Sequence, residues 1–293
     1  MNPLSQTRPI SRRTFLGSGA AALLAASAVG CSSSSGPEGE SGDLRLTSRP
    51  ATPTLTPDAG LSDLDLGGSR DGVLYVPESY SGDRAVALFV ALHGAGGRGR
   101  AWQSYWARAE ERGMVVLAPD SRGSTWRFSY DGAGGDVAFL DRALAHAFAR
   151  CRVDPSRIAL GGFSDGASYA LSLGLVNGDL FSHVVAYSPG YFVPHAEPVG
   201  RPPIFLSHGT RDRILPYANA RDVIVPALRD RGYDVDFVSF EGDHQVPAAI
   251  SEQALDWFLG AAASSHQAPQ AAPGGDDVLR LVTTPPDVGH FRH

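Results

Sequence analysis

Ser164 lies at the centre of Gly162-Phe163-Ser164-Asp165-Gly166. The run Arg157-Ile158-Ala159-Leu160-Gly161 precedes it, and the helix-like run Ala167-Ser168-Tyr169-Ala170-Leu171 follows. A serine between two glycines, set between a strand and a helix, describes a turn too tight for flanking side chains. Such a turn holds the hydroxyl out over the end of a sheet, where it can attack a carbonyl carbon. In a chain with 34 glycines the bare pattern is weak, because an idle strand-to-helix turn uses the same residues. Its partners must carry the reading.

A serine hydroxyl is a poor nucleophile at neutral pH and needs a base, which in turn needs an orienting acid. After Ser164, the apolar Ile204-Phe205-Leu206 leads into Ser207-His208-Gly209-Thr210-Arg211-Asp212. Asp212 therefore falls in a loop after a strand, as an orienting acid should. Glu241-Gly242-Asp243-His244-Gln245-Val246-Pro247 follows the next strand and precedes the last helix, which suits His244 as the base. Alone, Asp212 reads as a turn residue and His244 as an exposed loop histidine; their joint order after Ser164 favours a triad. Asp243 and Asp120 are the competing acids. His208 is the rival base, although its position directly after a strand suggests that it packs and hydrogen-bonds beneath the acid loop.

Acyl transfer also needs donors for a developing oxyanion. The backbone N–H of Asp165, at a helix N-terminus, supplies one. The run Val86–Leu92 leads into His93-Gly94-Ala95-Gly96-Gly97, whose glycines let backbone approach a substrate, and the N–H of Ala95 is the expected second donor. A phosphate cradle is the weaker reading, since neither G-K-[ST] nor G-x-G-x-x-G spacing is present.

These groups must be positioned by a sheet. Short apolar runs at Val73–Val76, Val86–Leu92, Met114–Ala118, Arg157–Gly161, His183–Ser188, Pro203–Ser207 and Val235–Phe240 read as strands, the interior ones covered on both faces. Helices are expected at Ala133–Ala149, with Val137, Leu140, Leu144 and Phe148 on one face, and at Ala218–Arg231 and Pro247–Leu259. Alternating strands and helices predict an α/β fold: a doubly wound, mostly parallel sheet with helices on both faces. Every chemistry-bearing motif falls at the carboxyl ends of strands, where such sheets bind ligands. The stretch between Ser188 and Pro202 is short, so no large cap domain is expected over the cleft. Trp126, Phe128, Tyr191 and Phe192 are the candidates to line it, each weighed against ordinary packing.

Leu92-His93-Gly94-Ala95-Gly96-Gly97, Ala118-Pro119-Asp120-Ser121-Arg122-Gly123-Ser124, the Ser164 motif, His208-Gly209-Thr210-Arg211-Asp212 and Asp243-His244 together resemble a known group. They are similar to the α/β-hydrolase esterases of the phospholipase/carboxylesterase and poly(3-hydroxybutyrate)-depolymerase-like kind, over roughly residues 72–260. The resemblance implies hydrolysis of carboxylic esters through an acyl-serine, with Ser164 as nucleophile, Asp212 as acid and His244 as base. It implies neither a metal nor an organic cofactor. Many depolymerase-type enzymes carry Asn where this chain has Asp165, and no separate polymer-binding domain is evident. Acyl transfer or peptide hydrolysis on the same triad, and a non-catalytic binding module, remain as alternatives.

The ends of the chain carry a different message. Ser11-Arg12-Arg13-Thr14-Phe15-Leu16 is a twin-arginine export pattern, followed by an Ala/Leu-rich run too short for a comfortable membrane span. Ala28-Val29-Gly30-Cys31 resembles a lipoprotein cleavage site, which makes Cys31 the expected lipidation site and an envelope surface the expected location. Residues 1–30 then form a signal peptide, 31–60 a flexible Ser/Gly/Pro/Thr-rich tether, 61–260 the folded domain and 261–293 a mostly disordered tail in which Val278–Val282 stays unassigned. Removing Arg8, Arg12 and Arg13 with the signal, and no acid, takes the formal charge from −6 down by three to −9. So acidic a domain is a poor partner for nucleic acid. Cys151 is then the remaining cysteine, expected as a small buried apolar residue with no disulfide framework or cysteine-based zinc site.

Overall fold

The computed structural model of the protein describes residues 44–127, 135–193 and 198–260. Among the described residues, eight strands form one sheet in the order β1-β2-β4-β3-β5-β6-β7-β8. β1 (Gly60–Asp63) and β2 (Gly72–Val76) pair antiparallel, as do β2 and β4 (Val115–Pro119). β3 (Val86–Leu92), β5 (Val153–Phe163), β6 (His183–Tyr187), β7 (Ile204–Gly209) and β8 (Val235–Phe240) continue the sheet in parallel. The helices are α1 (Ser104–Arg112), α2 (Asp136–Arg150), α3 (Asp165–Val176), α4 (Tyr217–Asn219), α5 (Val225–Asp230) and α6 (Ala248–Leu259).

The period-2 alternation of a strand divides its side chains between two cores. On β3, Leu88, Val90 and Leu92 join a cluster with Leu140 and Leu144 of α2 and Tyr169 and Leu173 of α3. Ala87, Phe89 and Ala91 face the other way, onto Trp102, Tyr105 of α1 and Leu255 and Phe258 of α6. A third cluster joins α3 through Leu171 and Leu175 to Ile204, Leu206, Ile224 and Leu228. The sheet is thus doubly wound and covered on both faces. The link from β6 to β7 is too short to hold a cap domain.

Several boundaries differ from the sequence expectations, each for a local reason. β5 begins at Val153, but its register shifts between Val86 and Leu88 of β3, and Pro155 has no N–H for a ladder, so continuous pairing runs from Ile158. The helix expected over Ala218–Arg231 is interrupted: Ala220–Ile224 is a π-helical turn leading into α5. Pro226 explains it, since a proline within a helix removes an N–H and crowds the carbonyl four residues back. β1 has an alternating polar edge sequence and gives no apolar run.

The largest correction concerns the tether. Residues from Leu44 onward pack on the domain, and Leu44 and Leu46 are buried against α2 and α3. Buried Asn177 accepts from the Leu46 N–H (2.8 Å) and donates to the Leu44 carbonyl (2.9 Å). Arg45 bonds the Val176 carbonyl, Arg45 and Arg49 pair with Asp179, and Thr47 and Ser48 hydrogen-bond Asp141. The Thr54 and Leu55 amides end on the Ala149 carbonyl. Residues 1–43, with Cys31, and the tail 261–293 lie outside the described residues. Cys151 is fully buried at the end of α2. Among the described residues no helix is long and apolar enough to cross a membrane.

Candidate active site

Ser164 joins β5 to α3 with φ 57° and ψ −119°, a backbone conformation that a side chain rarely adopts. The turn is held by its neighbours. The Ser164 N–H donates to the Tyr187 carbonyl of β6 (2.9 Å). A Cβ on Gly166 would stand 2.5 Å from the His93 carbonyl oxygen and nearer still to that of Leu92. A Cβ on Gly162 would stand 2.7 Å from the Ala167 amide. Both glycines are therefore required by close approach of backbone to backbone.

Ser164, His244 and Asp212 come together from three strand ends. The Ser164 hydroxyl donates to His244 Nε2 at 2.9 Å, and His244 Nδ1–H donates to Asp212 Oδ2 at 2.6 Å. The carboxylate can only accept, which fixes the imidazole tautomer with its free lone pair toward the serine. Ser164 and Asp212 are buried, and the His244 ring lies against Phe163 with ring centroids 4.7 Å apart. Burial alone would raise the pKa of Asp212. Hydrogen bonds from His208, His244 and the Leu215 amide outweigh it and hold the carboxyl well below the usual range. Asp212 Oδ1 accepts from the Ile214 (2.9 Å) and Leu215 (2.8 Å) amides.

The competing residues sit elsewhere. Asp120 binds Arg98 (2.8 Å) and the Gly99 amide (2.7 Å). Asp243 forks onto Arg213, through Nη2 (2.6 Å) and Nε (2.9 Å), and accepts the His244 amide (2.9 Å). That ion pair ties the acid loop to the base loop, helped by the Arg211 N–H to Gly242 carbonyl bond (2.9 Å). His208 lies beneath the acid loop, its Nε2 against the Leu215 carbonyl (2.7 Å) and Asp212 Oδ2 (3.2 Å).

The glycine loop runs alongside the serine. A Cβ on Gly94 would be 3.3 Å from Ser164 Cβ, a tight contact that would press the loop and the serine apart by a few tenths of an ångström. The Gly94 carbonyl accepts from His93 Nδ1–H (2.7 Å) and from the Gly97 amide (3.0 Å). In a trans peptide the carbonyl and the following N–H point in opposite directions. Holding the Gly94 oxygen into the loop therefore turns the Ala95 N–H outward. Asp165 opens α3, so its N–H is among those with no partner inside the helix.

The expected cleft aromatics fare unevenly. Trp126 is a correction: it is buried, donates its indole N–H to the His93 carbonyl (2.8 Å) and packs on Tyr169. A large side chain with a single donor gains more from this apolar site with an acceptor than from an open cleft. Phe192 is also a correction, because it packs against the third core cluster with Arg231 over its ring. Tyr191 remains exposed; burial of its hydroxyl, and then the nearby Asp165, raise its pKa. Phe128 lies outside the described residues.

Other supporting side-chain contacts escaped the sequence reading. Asp165 accepts from the Thr125 hydroxyl (2.5 Å) and the Trp126 amide (2.9 Å), and its pKa is raised by burial against those bonds. Ser168 Oγ accepts from the Gly190 amide (2.9 Å), and Ser172 Oγ from the Val193 amide (2.9 Å). The four-residue spacing of Ser168 and Ser172 was the available sign: it puts both hydroxyls on one face of α3.

The sheet that holds this arrangement has the α/β-hydrolase fold, and the comparisons agree with it. The phospholipase/carboxylesterase family profile matches residues 138–258. A probable feruloyl esterase C of Aspergillus clavatus is 30% identical over 159 residues, covering 50% of this chain and 56% of that one. The chain thus spans little more than half of that relative. Acyl-protein thioesterase 1 of Neurospora crassa is 25% identical over 219 residues, covering 60% and 86%. In structure, the acetyl xylan esterase from Aspergillus awamori superposes with a TM-score of 0.55 at 18% identity, covering 69% of this chain and 100% of the other. Esterase PE8 does so with a TM-score of 0.52 at 24% identity, covering 66% and 99%. The chain has the α/β-hydrolase fold, and over residues 138–258 it is similar to the phospholipase/carboxylesterase family.

Proposed function

We propose that the protein is a serine hydrolase that cleaves carboxylic esters through an acyl-serine intermediate. The hydrogen-bonded chain from Ser164 through His244 to Asp212 is the observation that carries this reading. His244 Nε2 takes the hydroxyl proton as Ser164 Oγ bonds to the ester carbonyl carbon. The carbonyl oxygen becomes an oxyanion, held by the N–H groups of Ala95 and Asp165. Asp212 stabilises the imidazolium across Oδ2. Collapse breaks the bond to the alkoxy oxygen, which leaves as alcohol with the proton from His244. Water then attacks the acyl-serine, again giving its proton to His244, and the carboxylic acid departs with Ser164 restored. The esterase and thioesterase names of the relatives support acyl hydrolysis as the reaction class. The substrate is a small-molecule or lipid ester.

A p-nitrophenyl acyl-ester series, run on the full chain, tests the proposal. Wild type should turn over, and Ser164→Ala should lose at least about ten-thousand-fold in kcat while staying folded. Retained turnover in that variant would sink the assignment.

We also propose export with a lipid anchor at Cys31, on the strength of the twin-arginine and lipoprotein-like patterns in residues 1–31. Metabolic labelling with an alkynyl fatty acid should mark the wild type and leave Cys31→Ala unlabelled. An unlabelled wild-type protein would leave simple secretion.

A further inference from the structure

Asp212 is shared by two histidines, and only one of them faces the serine. His208, at the end of β7, is fully buried. Its Nε2 lies 2.7 Å from the Leu215 carbonyl oxygen, which can only accept, so Nε2 carries a hydrogen. The same hydrogen side lies 3.2 Å from Asp212 Oδ2. His208 Nδ1 is buried with no partner, so a second ring hydrogen would be an unpaired buried donor. The ring therefore spends its one hydrogen on the acid loop.

The consequences are geometric. Asp212 Oδ1 is fixed by two amides of its own loop. Oδ2 would otherwise answer to His244 alone, a side chain on a separate loop. The His208 N–H, bridging Oδ2 and the Leu215 carbonyl, closes the acid loop onto the sheet. Tyr217 faces His208 at a ring distance of 6.2 Å, and Arg213 is occupied by Asp243.

Resting on the serine-hydrolase reading above, we infer that His208 is a positioning residue. It holds Asp212 in the rotamer that presents Oδ2 to His244, without touching substrate.

Three variants test it. Leu removes the donor, Gln places an amide N–H near the ring Nε2 position, and Asn is too short to reach. His208→Leu and His208→Asn should lose about a hundredfold in kcat at little changed KM, the scale of a misplaced catalytic group. His208→Gln should recover to within about tenfold of wild type. The short His244–Asp212 bond should also give a far-downfield proton resonance, lost in Leu and Asn and kept in Gln; this readout needs no substrate. A folded His208→Leu within about threefold of wild-type kcat overturns the proposal. Should His208→Leu fail to fold, equal kcat and equal spectra for Gln and Asn overturn it. A wild type with no turnover, but with a downfield proton that follows the variants as stated, would remove the esterase reading and leave His208 in its role.

Discussion

His93 is the residue on which the glycine loop hangs. Nδ1–H holds the Gly94 carbonyl, while Nε2 accepts from the Ser121 amide (2.9 Å) with Arg70 beside it (3.3 Å). Burial first, opposed by the Gly94 bond and aided by Arg70, pushes its pKa down to about 4. An unfolded histidine titrates near ~6.5, so between these values the unfolded chain binds a proton that the native one does not. Stability is full above about pH 6.5 and falls by about 3 kcal/mol as pH drops to about 4. Thermal melts from pH 7 to 4 should show a downward slope that His93→Gln flattens; an equal slope in both would remove His93 from the account. Sequence order made Ser164, Asp212 and His244 legible, because each follows a strand in a fixed succession. The work of His93 and His208 was not legible. It depends on which carbonyl each ring meets, and those carbonyls belong to turns whose path only the folded chain defines.

At the scale of elements, the strand-to-helix turn beneath Ser164 is the least tolerant. Gly166 lets α3 start against the carbonyls that end β3, and these cannot retreat without breaking the β3 ladder. Gly166→Ala should therefore cost upward of about 3 kcal/mol, more than ordinary overpacking of side chains. Urea unfolding gives the number, and a loss below about 1 kcal/mol would mean that the turn yields easily. The strands buried on both faces were plain in the sequence as apolar runs. Those that were missed or misjudged lack that pattern: β1 is a short polar edge, and the early part of β5 contains Pro155. The π turn at Ala220–Ile224 was written in Pro226, which the helical periodicity around it masked.

Across the whole molecule, the segment from Leu44 to Leu55 closes the first core cluster from outside. Its partners Asp141, Ala149 and Asn177 lie about a hundred residues along the chain, as the separation of 131 between Leu46 and Asn177 illustrates. No local pattern of Ser, Pro and Thr announces such contacts, which is why composition read it as tether. Asn177→Ala would strand the Leu46 amide and the Leu44 carbonyl together. The expected loss is about 2–4 kcal/mol, with new protease cleavage between residues 44 and 57. Unchanged melting and an uncut segment would show that the two leucines hold it without the amide.

The positive φ of Ser164 has a consequence for endurance in heat. A side chain at that conformation is stored strain, of order ~1–3 kcal/mol. Ser164→Ala keeps the Cβ and so keeps the strain; Ser164→Gly releases it, less the greater freedom that glycine gains when unfolded. The glycine variant should melt about 2–6 °C above the alanine variant. Under the proposed function neither would cleave esters, so the difference between the two variants would measure the stability given up to hold this serine in its turn.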